Sequence, residues 1–409
     1  MQFFKLFIMF LIIFSLIIFS AIFYIKIRLI DLLPFSKTIK LFLLILITFF
    51  IYTIPLHIII NKAGLGSKYS DILTLYGFIS ISFLILLFVV LLSKDIFLSF
   101  FLIAKKFIAL TYYKKKSIEL IVDPDRRQFI LNSINSGVFS IAGLLSIYSY
   151  FNAKSPPQVK KVIIPIKYIS KDIENLSIVQ ISDIHISATI KKNFVQMIVD
   201  KVNSLKPDII VFTGDIADGP VSRLKNDAAP LNDLQAKYGK FFVTGNHEYY
   251  SGALQWIRFL ENSGFTVLTN ENRIIKHEQS KILIGGVPDF RASHFIKDHK
   301  PDPFKAISNA EDSDIKILLA HQPKSIYDAQ KAGFDIQLSG HTHGGQLWLF
   351  GYIVLLDQPF IKGLHKYKNT QIYVSQGTGY WGPPLRLGTC SEITLINFKN
   401  ILKDQNGIS

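Results

Sequence analysis

The sequence predicts an α/β protein anchored in a membrane, with an N-terminal bundle of about four transmembrane helices before a globular domain. Three observations support this fold class. The first 155 residues are strongly apolar and hold 16 Lys and Arg against 6 Asp and Glu. The rest of the chain has an ordinary globular composition and alternates between strand and helix patterns. Polar and charged residues directly follow several of the predicted strands.

Three uncharged apolar runs are long enough to cross the hydrocarbon core of a bilayer, which takes about 20 residues. They cover residues 7–25, 41–60 and 72–92, and a shorter uncharged stretch at 136–151 is predicted to be a fourth span. A cleaved signal peptide is a rival interpretation for the first run, but no small-residue cleavage site follows it. We therefore expect residues 1–151 to form a membrane anchor.

Basic residues in the connecting segments predict the orientation of the anchor. Segments 26–40, 61–71 and 94–135 carry four, two and eight Lys and Arg, respectively. This distribution predicts that the first and third segments are cytoplasmic and that the globular domain is extracytoplasmic. Residues 96–110 are apolar but contain two lysines, and they are predicted to form an interfacial helix. If they span the membrane instead, the globular domain is cytoplasmic.

A pair of arginines adds an ambiguous signal for export. Arg126 and Arg127 precede an apolar run, as in a twin-arginine export signal, although three predicted spans come before them. Two ordinary cytoplasm-facing arginines would explain the same residues. Both interpretations place the following domain outside the cytoplasm.

The second part of the chain is predicted to be one α/β domain. A linker with two prolines is expected at residues 152–160, the domain at 161–401 and a tail at 402–409. Helices are predicted at residues 194–205, 254–263 and 323–332. Strands are predicted at residues 161–169 (an edge strand), 177–182, 208–212, 240–243, 281–285, 316–319, 335–338, 371–375 and 392–398.

Candidate metal ligands follow five of these strands. Because ligands gather at the carboxyl ends of the strands in such sheets, we expect the side chains to converge. Carboxylate, imidazole and amide ligands suit Mn, Fe or Zn, and seven ligands are too many for one tetrahedral zinc ion. The set therefore predicts two divalent metal ions that share a bridging carboxylate. The seven residues are Asp183, His185, Asp215, Asn246, His321, His341 and His343.

Each of these residues alone has an ordinary structural explanation. Asp215 after a glycine is typical of a turn, Asn246 of a helix cap, and His321 of a buried structural histidine. The prediction depends on the ordered set and on its position after predicted strands.

The ordered set resembles the signature of the calcineurin-like metallophosphoesterases over about residues 176–400. The N-terminal spans and the segment Gly377–Leu387 are similar to the membrane-anchored bacterial branch of that family. The resemblance implies a four-layer α/β/β/α sandwich and a place in the bacterial inner membrane. The matching blocks are Asp183-x-His185, Gly214-Asp215, Gly245-Asn246-His247-Glu248, His321 and Gly340-His341-x-His343.

The resemblance also implies a role for each residue. One ion would be held by Asp183, His185 and His343. The other would be held by Asn246, His321 and His341, with Asp215 bridging the two. His247 would face the leaving group and would not bind metal. Pro288 and Cys390 are atypical for the family, which affects substrate preference rather than the ligand set.

The implied activity is metal-dependent hydrolysis of a phosphoester, with attack by a hydroxide that bridges the metal ions and His247 as general acid. The carboxylate partner of His247 is Asp215 or Glu248, and both stay open. Arg386, Tyr249 and Trp381 are candidate substrate contacts, although a loop-anchoring role is the simpler explanation for Arg386. Tyr250 and Tyr380 are further candidates for an apolar cleft, and simple packing explains about half of the four aromatic residues.

A tethered active site favours a phosphodiester or pyrophosphate in a lipid or glycolipid headgroup, with the phospholipid bilayer as a partner and no nucleic acid. Alternatives are a UDP-2,3-diacylglucosamine-type pyrophosphatase of lipid A synthesis, and a phosphomonoesterase or protein phosphatase. A non-enzymatic alternative is a membrane sensor that uses metal only for structure.

Overall fold

The computed structural model describes residues 2–33, 35–62, 68–112, 123–308 and 312–401. The chain divides into two compact units, Met1–Tyr150 and Phe151–Ser409. The predicted tail at 402–409 lies outside the described residues, as do residues 113–122 of the third basic segment.

Long apolar helices pack together in the first unit. Each contains a stretch long and apolar enough to cross a membrane. Their common core takes Ile18, Ile51, Leu84 and Val138 from successive helices. The predicted N-terminal bundle is therefore present. Its helices are α1 (Gln2–Arg28), α2 (Lys37–Lys62), α3 (Lys68–Tyr112) and α4 (Pro124–Lys154), the last of which continues into the second unit.

Helix α3 is longer than predicted. The third predicted span and the predicted interfacial helix at 96–110 form one continuous helix of 45 residues. The prediction of a separate interfacial helix was wrong, because no Gly or Pro interrupts residues 93–112. At 1.5 Å per residue α3 is about 68 Å long, more than twice the hydrocarbon thickness. The orientation of the anchor stays a prediction.

A partly exposed ion pair joins α1 to the middle of α3. The guanidinium of Arg28 donates from Nε and Nη2 to the two carboxylate oxygens of Asp95, each at 2.6 Å. The hydroxyl of Tyr24 donates to the same carboxylate, also at 2.6 Å. The bidentate ion pair fixes the end of α1 against α3.

The second unit is built from two mixed sheets and the helices around them. Within the described residues the strands are β1 (Gln158–Ile166), β2 (Ile178–Ile181), β3 (Ile209–Phe212), β4 (Lys240–Phe242), β5 (Phe265–Val267), β6 (Glu271–His277), β7 (Ser280–Gly286), β8 (Ile315–Leu319), β9 (Ile336–Ser339), β10 (Gly363–Tyr367), β11 (Thr370–Val374) and β12 (Glu392–Asn400). The helices are α5 (Lys171–Asn175), α6 (Lys192–Ser204), α7 (Val221–Ala228), α8 (Asn246–Ser251), α9 (Ala253–Asn262), α10 (Pro303–Ile307), α11 (Ile326–Ala332) and α12 (Phe350–Val354).

The two sheets pack face to face between two layers of helices. The first has the order β1-β12-β2-β3-β4-β5 and the second β10-β11-β9-β8-β7-β6. Along β3, Ile209 and Val211 enter the core between the sheets, whereas Ile210 and Phe212 enter the core under α6, α7 and α9. A further core, which includes Phe334, lies between the second sheet and α10 and α11. This is the predicted four-layer sandwich.

The strands that sequence patterns missed lie at sheet edges. β5, β6 and β10 are edge strands, and they are either very short or rich in polar residues, so no apolar run marks them. The predicted edge strand corresponds to β1, which is an edge strand. The predicted linker at 152–160 was too long, because α4 reaches Lys154 and β1 begins at Gln158.

We predict that Gly77 permits the close approach of α2 and α3. A Cβ at this position would lie 2.5 Å from Thr53 Oγ1 and 2.7 Å from the Phe50 carbonyl oxygen. Gly77→Leu should therefore lower the free energy of unfolding of the detergent-solubilised protein by about 1–3 kcal/mol, because the larger side chain overpacks the contact between the helices. Gly143→Leu is the matched control, because a Cβ there meets no described atom within 4 Å. Equal melting temperatures for the two variants would contradict the prediction.

Candidate metal and catalytic site

Polar side chains from both sheets meet where the central strands end. β2, β3 and β4 of the first sheet and β8 and β9 of the second point their carboxyl ends to the same place, as the sequence predicted. The side chains brought together are Asp183 and His185 after β2, Asp215 and Asp218 after β3, Asn246 and His247 at the start of α8, His321 after β8, and His341 and His343 after β9.

The backbone of several of these residues is strained. A positive φ costs a residue with a side chain about 1–2 kcal/mol relative to the right-handed region. Short loops that turn back in this way direct the side chains toward one point. The residues with φ between 51° and 72° include Asp183, His185, Asp215, His341 and His343.

One cluster of candidate ligands consists of Asp183, His185 and His343, which are all buried. The Nε2 atoms of His185 and His343 are 3.0 Å apart, and Nε2 of His343 is 3.5 Å from Oδ1 of Asp183. Two imidazole nitrogens bound at right angles to one ion at about 2.1 Å would be separated by about 3 Å. The cluster therefore fits a first-row divalent ion.

A second cluster is formed by Asp215, Asn246, His321 and His341. The Nε2 atom of His321 lies 3.1 Å from Asp215 Oδ2, 3.2 Å from Asn246 Oδ1 and 3.1 Å from His341 Nδ1. Asp215 Oδ2 is also 3.6 Å from Nε2 of His185 in the first cluster. Asp215 is thus the carboxylate that both clusters share.

Hydrogen bonds on the far side of two rings orient the ligand nitrogens. Nδ1 of His321 lies 2.7 Å from the carbonyl oxygen of Thr213, which can only accept a hydrogen bond. Nδ1 of His185 lies 2.8 Å from the carboxylate of Asp218. Nδ1 is therefore the nitrogen that carries a proton in both rings, and Nε2 faces the cluster as the nitrogen that can bind metal, which is the usual arrangement of metal-binding histidines.

Burial and local charge set the protonation of the ligands. Burial and the neighbouring His321 lower the pKa of His341 to about 3. Burial and the neighbouring His185 hold the pKa of His343 well below its usual range. Burial opposes ionisation of Asp215, but His321 and His247 outweigh it and hold the pKa of this carboxyl well below its usual range. Burial opposes the charged form of His321, but Asp215 outweighs it and holds the pKa of His321 well above its usual range without metal. His321 must therefore lose a proton when it binds a cation, whereas His341 and His343 are already neutral.

His247 lies beside the clusters and has a carboxylate partner that the sequence did not identify. Its Nδ1 is 2.7 Å from Oδ1 of Asp218, the same oxygen that meets His185. Burial opposes the charged form of His247, but Asp215 and Asp218 outweigh it and raise its pKa to about 9. The available signal was a second carboxylate three residues after Asp215, at the end of the same strand.

Glu248, the other candidate partner of His247, has a different role. Its carboxylate accepts hydrogen bonds from the backbone N–H groups of Gly245 at 2.6 Å, Ile216 at 2.7 Å and Asp215 at 2.9 Å. It therefore ties the loop after β3 to the loop after β4. Asp215 contacts His247 only through the backbone, since the N–H of His247 donates to Asp215 Oδ1 at 2.9 Å.

The structure does not support a phosphate contact for Arg386. The side chain is fully buried, and its guanidinium donates to the carbonyl oxygens of Gly379 at 2.6 Å, Gln376 at 2.7 Å and His343 at 3.3 Å. Because these acceptors occupy the donors, Arg386 anchors the loop behind His343 and does not reach the cleft.

The candidate aromatic residues take different positions relative to His247. Tyr249 is buried and turns away, with its hydroxyl 2.7 Å from Nδ1 of His299. The neighbouring Tyr250 is 52% exposed, and its ring centroid lies 5.2 Å from that of His247. Trp381 is 55% exposed, and its ring centroid lies 5.9 Å from that of His247. Residues next to each other on a helix point in different directions, so sequence alone did not separate the two tyrosines.

Comparison with known proteins gives one consistent similarity. A family model described as calcineurin-like phosphoesterase matches residues 176–345, a range that includes every candidate ligand. A Danio rerio transmembrane protein with a metallophosphoesterase domain is 37% identical over 267 residues, which are 63% of this chain and 61% of that protein. The match thus spans about three fifths of the zebrafish protein.

A bacterial relative is matched over more of its length. An uncharacterised metallophosphoesterase of Helicobacter pylori is 36% identical over 313 residues, which are 75% of this chain and 81% of that protein. Among solved structures, Haemophilus influenzae NAD nucleotidase aligns with 51% of this chain and 45% of its own, at 19% identity and a TM-score of 0.37. That structural likeness is too distant to carry an argument about activity.

We predict that Asp218 controls both His247 and His185. Asp218→Asn should lower the pKa of His247 in the metal-free protein, because it removes one of the two carboxylates that raise it. It should also weaken Mn²⁺ binding about 10–100-fold through His185. Histidine NMR titration and calorimetric metal titration measure the two effects, with exposed Asp200→Asn as control. An unchanged His247 titration would contradict this prediction.

We predict that Arg386 is a structural residue. Arg386→Lys should lower the free energy of unfolding by about 1–3 kcal/mol, because buried carbonyl groups lose their hydrogen-bond donors. A domain of this size loses about 2–4 °C of melting temperature per kcal/mol. Thermal denaturation of the full chain checks this, with exposed Arg258→Lys as the matched control. An unchanged melting temperature combined with weaker binding of inorganic phosphate would support the phosphate contact instead.

Proposed function

This chain belongs to the calcineurin-like metallophosphoesterases, a family of metal-dependent phosphoester hydrolases, and from that premise we propose that it cleaves a phosphodiester or pyrophosphate bond in a lipid or glycolipid headgroup. The observation that carries the hydrolytic part is the pair of clusters that share Asp215, with the His247–Asp218 pair beside them. Each part of that arrangement has a distinct task in phosphoryl transfer.

The proposed ligand assignment follows the two clusters. Two divalent ions, of Mn, Fe or Zn, supply an activated water and neutralise charge on the phosphate when bound. Asp215 lies between the clusters and contributes one carboxylate to both. Asp183, His185 and His343 would hold one ion, and Asn246, His321 and His341 would hold the other, in both cases with Asp215.

His247 serves as the general acid in this proposal. Its Nδ1–H is held by Asp218, so its Nε2 carries the proton that is given to the leaving oxygen. Without metal, burial opposes the charged form of His247, but Asp215 and Asp218 raise its pKa to about 9. When Asp215 holds metal, Asp218 is the hydrogen-bonded carboxylate that favours the protonated ring. Asp218 then stabilises the orientation of the ring while its charge changes. Tyr250 and Trp381 flank the ring and are the proposed contacts with the leaving group.

The lipid substrate is inferred from the way the chain is connected. Helix α4 ends at Lys154 and β1 begins at Gln158, so a segment of three residues joins a membrane-length helix to the first strand of the catalytic unit. Such a short tether raises the effective concentration of substrates carried by the same bilayer. From the similarity to the Helicobacter pylori relative we further propose the bacterial cytoplasmic membrane, and from the distribution of basic residues we propose that the catalytic unit lies on its outer face.

We predict that two single substitutions separate metal binding from proton transfer. With Mn²⁺, the full chain in detergent should hydrolyse bis-p-nitrophenyl phosphate. Asp215→Ala should lose both bound metal and turnover, because it removes the shared ligand. His247→Ala should keep its metal but lower kcat about 10²–10⁴-fold, the usual contribution of a general acid. Metal content by mass spectrometry and turnover by absorbance give the two readouts.

Exposed Asp328→Ala is the matched control for the loss of a carboxylate. Equal loss of metal in Asp215→Ala and His247→Ala would contradict the division of roles. Turnover of p-nitrophenyl phosphate without diester cleavage would favour a phosphomonoesterase. Bound metal without turnover of either compound would favour the membrane sensor.

A further inference from the structure

A groove of about 380 Å³ reaches Gly344, the residue after the candidate ligand His343, and we propose that it binds an acyl chain of the phosphoester substrate. This inference rests on the proposed function and names the part of the substrate that the metal centre does not contact. The volume falls within the range of small-molecule sites in proteins, about 300–1,000 Å³. Its lining includes Trp348, Tyr352, Leu355, Phe360, Ile361 and Lys362.

The groove is continuous with the loop that carries a candidate ligand. Gly344, which follows His343 directly, forms part of its lining. Gly344 has a φ of +63°, and a Cβ there would lie 2.9 Å from the side chain of Gln376, so the groove and the ligand loop share one tightly packed backbone turn. When the phosphate of a substrate lies at the metal centre, a chain attached to that phosphate can extend past Gly344 into the groove.

The same region connects the groove to the leaving-group side of the site. The side chain of Gln346 accepts a hydrogen bond from the N–H of Trp381 at 2.9 Å and donates to its carbonyl oxygen at the same distance. The N–H of Trp348 donates to the carbonyl oxygen of Leu387 at 2.9 Å. Trp381, beside His247, and Trp348, in the groove, are therefore held on paired segments of one loop assembly.

The chemistry of the lining favours a hydrocarbon chain. Trp348 is 50%, Tyr352 67% and Leu355 48% exposed, although each is large and apolar. The free energy falls when a ligand covers apolar surface that was exposed to water. Lys362 adds a positive charge to the lining, which complements an anionic lipid and not a cationic ligand.

The source of that chain is the bilayer in which the protein is anchored. The membrane-length helices α1 to α4 precede the catalytic unit along the chain, and a connection of three residues joins α4 to β1. A substrate drawn partly out of the bilayer leaves its acyl chain exposed to water unless the protein covers it. The groove supplies that cover beside the reacting phosphate.

The test compares two phosphodiesters that share a leaving group. The full chain with Mn²⁺, in mixed micelles of fixed composition, is assayed with hexadecyl p-nitrophenyl phosphate and with ethyl p-nitrophenyl phosphate. The wild-type protein should show a higher kcat/KM for the hexadecyl compound. Leu355→Asp should reduce the ratio of the two kcat/KM values about tenfold or more, because a charge enters the chain-binding surface.

The control variant lies two positions away. Ile353 is on α12, is 62% exposed and lies outside the groove lining among the described residues. Ile353→Asp should leave the ratio unchanged. An equal fall in both variants would overturn the groove and indicate that the whole exposed segment enters the micelle. Tyr352→Ala, which removes lining without adding charge, gives a second measure if Leu355→Asp has a lowered melting temperature.

The failure of this inference is separable from the failure of the proposed function. Equal turnover of the two compounds by the wild-type protein, with no change of ratio in Leu355→Asp or Tyr352→Ala, would overturn the acyl groove and leave the hydrolase standing. Absence of turnover of both compounds in the metal-loaded protein would overturn the proposed function and, with it, this inference.

Discussion

The buried carboxylate of Asp215 is the interaction on which the arrangement of the site depends. One oxygen lies between His185 and His321, which belong to separate clusters, and the other accepts the N–H of His247. An anion taken out of water needs positive charge or hydrogen-bond donors around it. The fold supplies them from β2, β3, β4 and β8, so both sheets must be in place before this carboxylate is satisfied. A pair of divalent cations would complete that balance.

Buried polar side chains hold the strained backbone of the candidate ligands in place. Candidate ligands such as Asp183 and His341 have left-handed backbone conformations that cost free energy. Buried polar anchors hold the loops in that form: Glu248 binds the loops after β3 and β4, and Arg386 binds the loop behind His343. Part of the folding free energy thus holds the ligands in a strained but preorganised geometry. Such a site needs little reorganisation when charge develops.

The last turn of α4 belongs to the second unit and packs within it. Asn152, in the last turn of α4, donates to the carbonyl oxygens of Arg386 and Thr389 at 3.0 Å. Ala153 in the same turn is fully buried in the core of the second unit. The predicted linker was too long because these residues pack against the domain, which leaves only Ser155, Pro156 and Pro157 between helix and strand. The membrane helix therefore ends within the hydrogen-bonded network that supports His343.

The sequence by itself determined the fold class, the apolar helices and the residues that converge at the site. These depend on residue type and on position along the chain, because strands bury apolar runs and leave polar ligands at their ends. Tertiary structure alone decided that Asp218 is the partner of His247, that Arg386 faces carbonyl groups, and that Tyr250 rather than Tyr249 faces the cleft. It also joined the third span to residues 96–110 and formed the groove beside Gly344. Side-chain direction and contacts between distant segments decide such features, and neither is encoded in local periodicity or spacing.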